Sequence, residues 1–248
     1  MIVLACPPFS WFVDATFLAA FLLWFIASNR LAPPQILRLT ASAILVILLL
    51  VLPVMEFSHR GIPEIAGTPS DHLVVIGDSI SSGLDPRVAP WPIVMEQMTG
   101  VPVKNLAQPG ATVIEGQAMA AKVTPQDRVV LIEIGGNDLI AGVPSGTFGR
   151  GLEEIVVKVA SPGRVIAMFE LPLLPHKIAY GQIQRRVAAK YGVSLIPKRY
   201  LTEVVGAANA TSDGLHLSSS GSRRMAALVA QVFSHALKSP PKTGSFPR

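Results

Sequence analysis

Two long apolar stretches open the chain. Residues 9–28, FSWFVDATFLAAFLLWFIAS, carry one acid, Asp14, and residues 39–56 carry only the terminal Glu56. A helix needs roughly 20 apolar residues to cross the hydrocarbon core of a bilayer, so the pattern predicts a transmembrane hairpin over residues 1–57. Its turn, NRLAPPQILR, holds two arginines and a Pro-Pro break. Trp11 and Trp24 suit interfacial anchoring, and Asp14 is expected at interface depth. Positive residues favour the cytoplasmic side. Arg30 and Arg38 would therefore keep the turn inside and place everything after about residue 58 outside.

After a Gly/Pro-rich linker over 58–70 the pattern changes. Short β-branched apolar runs appear at HLVVIGD, VPVKNLA, RVVLIEIG, RVIAMFEL and VSLIP. Longer amphipathic segments separate them: residues 88–99, GRGLEEIVVKVA, KIAYGQIQRRVAAKYG and SGSRRMAALVAQVFSHAL. Strands buried on both faces look like continuous apolar runs, and helical crossovers between them imply parallel pairing. The expectation for 71–238 is a three-layer α/β/α domain with a five-stranded parallel sheet, followed by a disordered tail over 239–248.

Composition agrees with the hairpin: half the residues are hydrophobic and only 15% are charged. The formal net charge is +5, but no basic run is interleaved with aromatics, so nucleic acid is not an expected partner. A single cysteine, Cys6, excludes an internal disulfide and a cysteine-built metal site. It lies in VLAC, which loosely resembles a lipoprotein cleavage site but lacks the preceding basic and apolar segments.

In parallel α/β sheets, ligands bind beyond the carboxyl ends of the strands. The polar clusters at such boundaries are Gly77-Asp78-Ser79, Asn105 to Thr112, Gly135 to Asp138, and Ser212 to Ser218. Together they hold a serine, a histidine, aspartates, an asparagine and several glycines. With no metal-ligand cluster and no Gly-rich phosphate loop, no cofactor and no metal are expected.

These blocks resemble the SGNH hydrolases of the GDSL esterase/lipase family, named for invariant Ser, Gly, Asn and His residues. GDSISSG matches the serine block through Ser79, with Ile80 where leucine is more common. Gly110 matches the glycine block, Gly135-Gly136-Asn137-Asp138 the asparagine block, and Asp213 with His216 the Asp-x-x-His block. The likeness runs from about residue 72 to 236 and is nearest to small bacterial thioesterase, lysophospholipase and arylesterase enzymes, carried by LIEIGGNDLI, ELPLLP and YGVSLIP. The two apolar spans are not part of the common family pattern.

The resemblance implies a Ser79–His216–Asp213 triad, with the backbone N–H groups of Ser79 and Gly110 and the side-chain amide of Asn137 as oxyanion donors. The chemistry is coherent. A serine hydroxyl needs an adjacent base, a carboxylate fixes the tautomer of that base, and the tetrahedral intermediate needs preorganised donors. Asp78 and Asp138 are expected to order their loops, and His59, His72, His176 and His235 to be non-catalytic. The expected activity is that of a membrane-anchored, extracytoplasmic esterase or thioesterase, with a small ester or lipid as substrate. Two rivals are an O-acetylesterase or acetyltransferase of envelope carbohydrate, and a non-catalytic envelope ligand-binding protein.

Overall fold

A computed structural model describes residues 11–29, 35–57, 61, 65, 70–173 and 177–237. The expectations for Cys6, His59 and His176, for most of the linker and for the tail lie outside these residues. The chain divides into two compact units, one over 7–61 and one from 62 onward.

The first unit is a pair of packed helices, α1 (Trp11–Asn29) and α2 (Gln35–Phe57). Ala20, Ala27 and Ala41 are buried, and small side chains of this kind let helix backbones approach closely. The larger side chains point away: Leu18, Leu22, Phe25, Ile36, Leu39 and Leu50 are all exposed. Among the described residues, no helix is long and apolar enough to cross a membrane. The two helices therefore occur where the apolar pattern puts them, while the predicted spans are not found among the described residues.

The second unit is built on five parallel strands: β1 (Leu73–Gly77), β2 (Val103–Asn105), β3 (Val129–Glu133), β4 (Val165–Phe169) and β5 (Ser194–Ile196). Their spatial order is β2-β1-β3-β4-β5. Every residue of β1 and β3 is buried, which is why these segments show no polar alternation in the sequence. Alternate residues serve two separate cores. Val74, Ile76, Val130 and Ile132 pack with α5 (Val113–Ala120), α7 (Ser145–Val159) and α8 (Ile178–Tyr191). Leu73, Val75, Val129 and Leu131 pack with α4 (Trp91–Thr99), α9 (Lys198–Gly206) and α10 (Ser219–Val232). The result is the three-layer α/β/α arrangement expected from the pattern.

Two of these helices escape the sequence reading. α5 is announced by a Thr112-x-x-Glu115 capping box, in which Glu115 Oε2 accepts the Thr112 N–H at 2.8 Å. α9 is short and turns Leu201 and Val204 inward after Pro197. In this strand order the connection reverses direction between β1 and β3, and a crevice opens at the carboxyl ends of those two strands. That switch point is where a ligand is accommodated in doubly wound sheets.

Candidate active site

Ser79 stands at the switch point. It begins the four-residue helix α3 (Ser79–Ser82), two residues beyond the end of β1. Asp78 caps this turn, with Oδ1 accepting the Ile80 N–H at 2.9 Å. Gly77 cannot be larger, because a Cβ there would lie 2.9 Å from both Glu133 Oε2 and Ser81 Oγ. The Ser79 side chain makes no hydrogen bond among the described residues, and the same is true of the backbone N–H of Ser79.

Asn137 faces it from α6 (Gly136–Ile140), which follows β3 on the other side of the crevice. The turn into α6 is made by Gly135 at φ +114, where a Cβ would also lie 2.7 Å from the ring of Phe148. Asn137 Nδ2 donates to Asp78 Oδ2 at 3.2 Å and to the Ala111 carbonyl at 3.0 Å. Gly110, in the loop after β2, has φ +73, and its N–H is free of hydrogen bonds among the described residues.

Asp213 and His216 lie in a tight loop ahead of α10, closed by the Thr211–Leu217 bridge and by the Ser212 N–H donating to the His216 carbonyl at 2.9 Å. Asp213 Oδ1 accepts the N–H groups of Leu215 at 3.0 Å and His216 at 2.8 Å. Its Oδ2 lies 2.6 Å from His216 Nδ1. The imidazole bond, followed by these two backbone bonds, holds the Asp213 carboxyl well below the usual carboxylate range. With Nδ1–H committed to Asp213, the lone pair of His216 is on Nε2, which has no partner among the described residues.

Ser79 and Asn137 line one cavity of about 320 Å³, while Asp213 and His216 are not among its wall residues. Its polar wall includes Asp78, Ser79, Glu133 and Asn137, and the loop between Asp213 and His216 contributes Gly214 and Leu215. The rest is apolar, from Ile80, Leu139, Leu171, Leu201 and Val205 among others. Gly110 is not one of the wall residues. No hydrogen bond joins Ser79 Oγ to His216 Nε2 among the described residues; such bonds commonly tighten only when substrate is bound.

Sequence reasoning passed over Glu133. It ends β3 and is buried, with Oε2 accepting the Ser81 hydroxyl at 2.8 Å and the Asp78 N–H at 3.4 Å. Burial, reinforced by the neighbouring Asp78 charge, pushes the Glu133 carboxyl well above its ordinary range. Burial likewise pushes Asp78 up to about 6, against the Ile80 N–H and the field of His216. The signal was in the sequence, since a glutamate inside the apolar run LIEIGG needs a partner for its burial. Asp138 has the loop-ordering position expected of it: Oδ2 accepts the Val113 N–H at 3.0 Å at the start of α5. His72 lies at the opposite end of the sheet, before β1. Among the described residues no group of acids, histidines or cysteines could hold a metal ion.

Known proteins are similar to this chain in sequence, and solved structures are similar to it in fold. An arylesterase of Vibrio mimicus is 28% identical over 183 residues, covering 67% of this chain and 90% of that protein. The thioesterase 1/protease 1/lysophospholipase L1 of Escherichia coli K12 is 28% identical over 138 residues, 52% of this chain and 66% of that protein. The crystal structure of TesA superposes with a TM-score of 0.59 at 25% identity, covering 67% of this chain and 99% of that one. A lipase/acylhydrolase from Enterococcus faecalis, at 22% identity and TM-score 0.57, has the same fold. The model of the GDSL-like lipase/acylhydrolase family matches residues 75–224, from β1 into α10. The chain belongs to that family, and its catalytic unit is a hydrolase of ester bonds.

Proposed function

We propose that the chain is a membrane-anchored serine hydrolase that cleaves carboxylic esters or thioesters of apolar acyl groups through an acyl-enzyme. The observation that carries this reading is the cavity: Ser79 and Asn137 stand in its wall beside an apolar lining, next to the loop in which His216 is oriented by Asp213. Ser79 Oγ attacks the acyl carbonyl and passes its proton to His216 Nε2. Asp213 stabilises the imidazolium, and the oxyanion is met by the N–H groups of Ser79 and Gly110 and by the Asn137 amide. The leaving alcohol or thiol takes the proton from Nε2. Water, activated by the same nitrogen, then attacks the acyl-serine and restores the enzyme.

The exposed apolar side chains of α1 and α2 support anchoring, since a soluble surface rarely carries a contiguous apolar patch of this kind. An anchored site favours acyl esters drawn from lipid, lysophospholipids among them. The arginines near the turn between the helices favour a catalytic unit outside the cytoplasmic membrane.

The test is turnover of a p-nitrophenyl ester series by the detergent-solubilised full chain, with fluorophosphonate labelling and Ser79→Ala as control. Turnover rising with acyl length and labelling at Ser79 are expected. No turnover and no labelling would refute the serine mechanism, and faster cleavage of acetylated sugars than of longer acyl esters would move the reading to envelope carbohydrate. Anchoring fails if alkaline carbonate releases the chain from membranes, and the orientation fails if a C-terminal alkaline phosphatase fusion is inactive.

A further inference from the structure

We propose that Asp78 and Glu133 are a positioning pair for the oxyanion site, Glu133 fixing the turn that presents the Ser79 N–H and Asp78 fixing the amide of Asn137. The proposal rests on the serine-hydrolase reading. Its starting point is that two acids are buried side by side at the ends of β1 and β3. Buried carboxyls are costly, and a well-packed apolar replacement is often neutral or stabilising, so fold stability alone does not account for the pair.

The neighbouring strand offers a contrast. Glu170, buried just after β4, has cations: Arg185 Nε donates to Oε1 at 2.7 Å, and Lys198 Nζ lies 4.0 Å away. Glu133 has none among the described residues. Its partners are the Ser81 hydroxyl and the Asp78 N–H, one on each side of Ser79. Ser81 Oγ in turn accepts the buried Trp91 indole N–H at 3.1 Å. The nucleophile turn is thus tied to the end of β3 and to α4, independently of the substrate.

Asp78 completes the frame across the crevice. Oδ1 holds the Ile80 N–H, and Oδ2 holds Asn137 Nδ2. Asn137 has two amide hydrogens; before substrate arrives the Ala111 carbonyl holds one and Asp78 the other at the longer distance of 3.2 Å, so the plane of the amide is set and the hydrogen facing Asp78 is the one the oxyanion shares. Gly136 keeps the approach open, as a Cβ there would come within 3.3 Å of Asp78 Oδ2.

A double-mutant cycle tests the pair. In Asp78→Asn an amide donor faces the Asn137 donor, and Asn137 must turn away. The expected result is a kcat about a hundredfold lower with KM little changed, the size of losing one oxyanion donor. Asn137→Ala should match it, and the double variant should be no slower than the worse single variant by more than about twofold. Multiplying effects would overturn the proposal, as would an Asp78→Asn enzyme close to wild type. Glu133→Gln keeps an acceptor for Ser81 and Asp78 and should retain kcat, whereas Glu133→Met should lower it about tenfold or more without raising KM; equal rates for the two would count against Glu133. Wild-type protein that neither turns over esters nor labels at Ser79 refutes the hydrolase reading instead. The pair is then still read from the Asn137 side-chain amide resonances, which must move in Asp78→Asn and whose constancy would overturn it.

Discussion

The catalytic unit contains two histidine–aspartate clusters of nearly the same length, and they do opposite work. At the carboxyl end of the sheet His216 Nδ1 lies 2.6 Å from Asp213 Oδ2. At the amino end His72 Nδ1 lies 2.7 Å from Asp71 Oδ1, and its Nε2 lies 2.8 Å from Asp127 Oδ1. His72 has a carboxylate on each nitrogen, an arrangement in which only the protonated ring donates to both. Lys104 Nζ and the Arg164 guanidinium complete the cluster around Asp127. His216 engages one nitrogen and leaves the other without a partner among the described residues. A short His–Asp contact alone therefore does not distinguish the two clusters; the unengaged second nitrogen of His216 does.

The largest effect that would break this comparison is on turnover. His216→Ala and Ser79→Ala should each lower kcat by about 10⁴-fold or more, while His72→Ala leaves it unchanged in a p-nitrophenyl ester assay. Equal losses at the two histidines would erase the distinction. Next in size is the orienting acid. Asp213→Asn should cost about 10³-fold to 10⁴-fold in kcat, because an amide no longer enforces the tautomer. Asp71→Asn, the matching change at the other end, should not alter kcat.

A third prediction concerns what holds the catalytic loop. A Cβ at Gly221 would lie 2.0 Å from the Ala210 carbonyl oxygen, backbone against backbone with no side chain able to yield. Ala210 also accepts the Ser218 N–H at 2.9 Å, at the base of the loop carrying Asp213 and His216. Gly221→Ala should cost about 3 kcal/mol through overpacking, a fall in melting temperature of roughly 6–12 °C, and should lower kcat as the loop moves. A variant with unchanged melting temperature and rate would show that α10 can shift freely.

Much of this was legible in the sequence, for physical reasons that differ by element. β1, β3 and β4 announce themselves because burial on both faces leaves apolar residues throughout, with Glu133 at the end of β3 the exception. Asp213 and His216 were readable as a pair because a three-residue spacing in a tight loop brings them together locally. Glu133 and His72 were harder. The partners of His72 are its neighbour Asp71 and, from just before β3, Asp127, which is 55 residues away, and a side chain's surroundings at that separation are decided by strand order. Strand order also decides that Ser79 and Asn137 face each other across one crevice while Gly110 stands outside the cavity wall. The first unit shows the converse: its helices follow from composition, but an apolar pattern alone does not say what covers them.

The smallest expected effect is the most specific to the amino-end cluster. Burial alone would lower the His72 pKa, but the hydrogen bonds and charges of Asp127 and Asp71 outweigh it and raise it above 6.5. A raised histidine pKa means that the folded state binds the proton more tightly than the unfolded chain does. The stabilisation is then complete below about 6.5 and fades as pH rises through the folded value. Asp127 is shifted the other way: burial is outweighed by the Thr124 N–H, Lys104 and His72, so its contribution is lost only at acid pH, far from this window. His72→Gln should therefore be less stable than wild type by about 1 kcal/mol near pH 5.5, a charged hydrogen-bonded pair discounted for partial exposure. The difference should shrink towards about pH 9. Asp78, pushed up to about 6, titrates in the same range in both proteins and cancels in the comparison. Urea midpoints of the two proteins at several pH values measure the gap. A gap independent of pH would mean that His72 is a neutral packing residue, and the distinction in charge between the two clusters would fall.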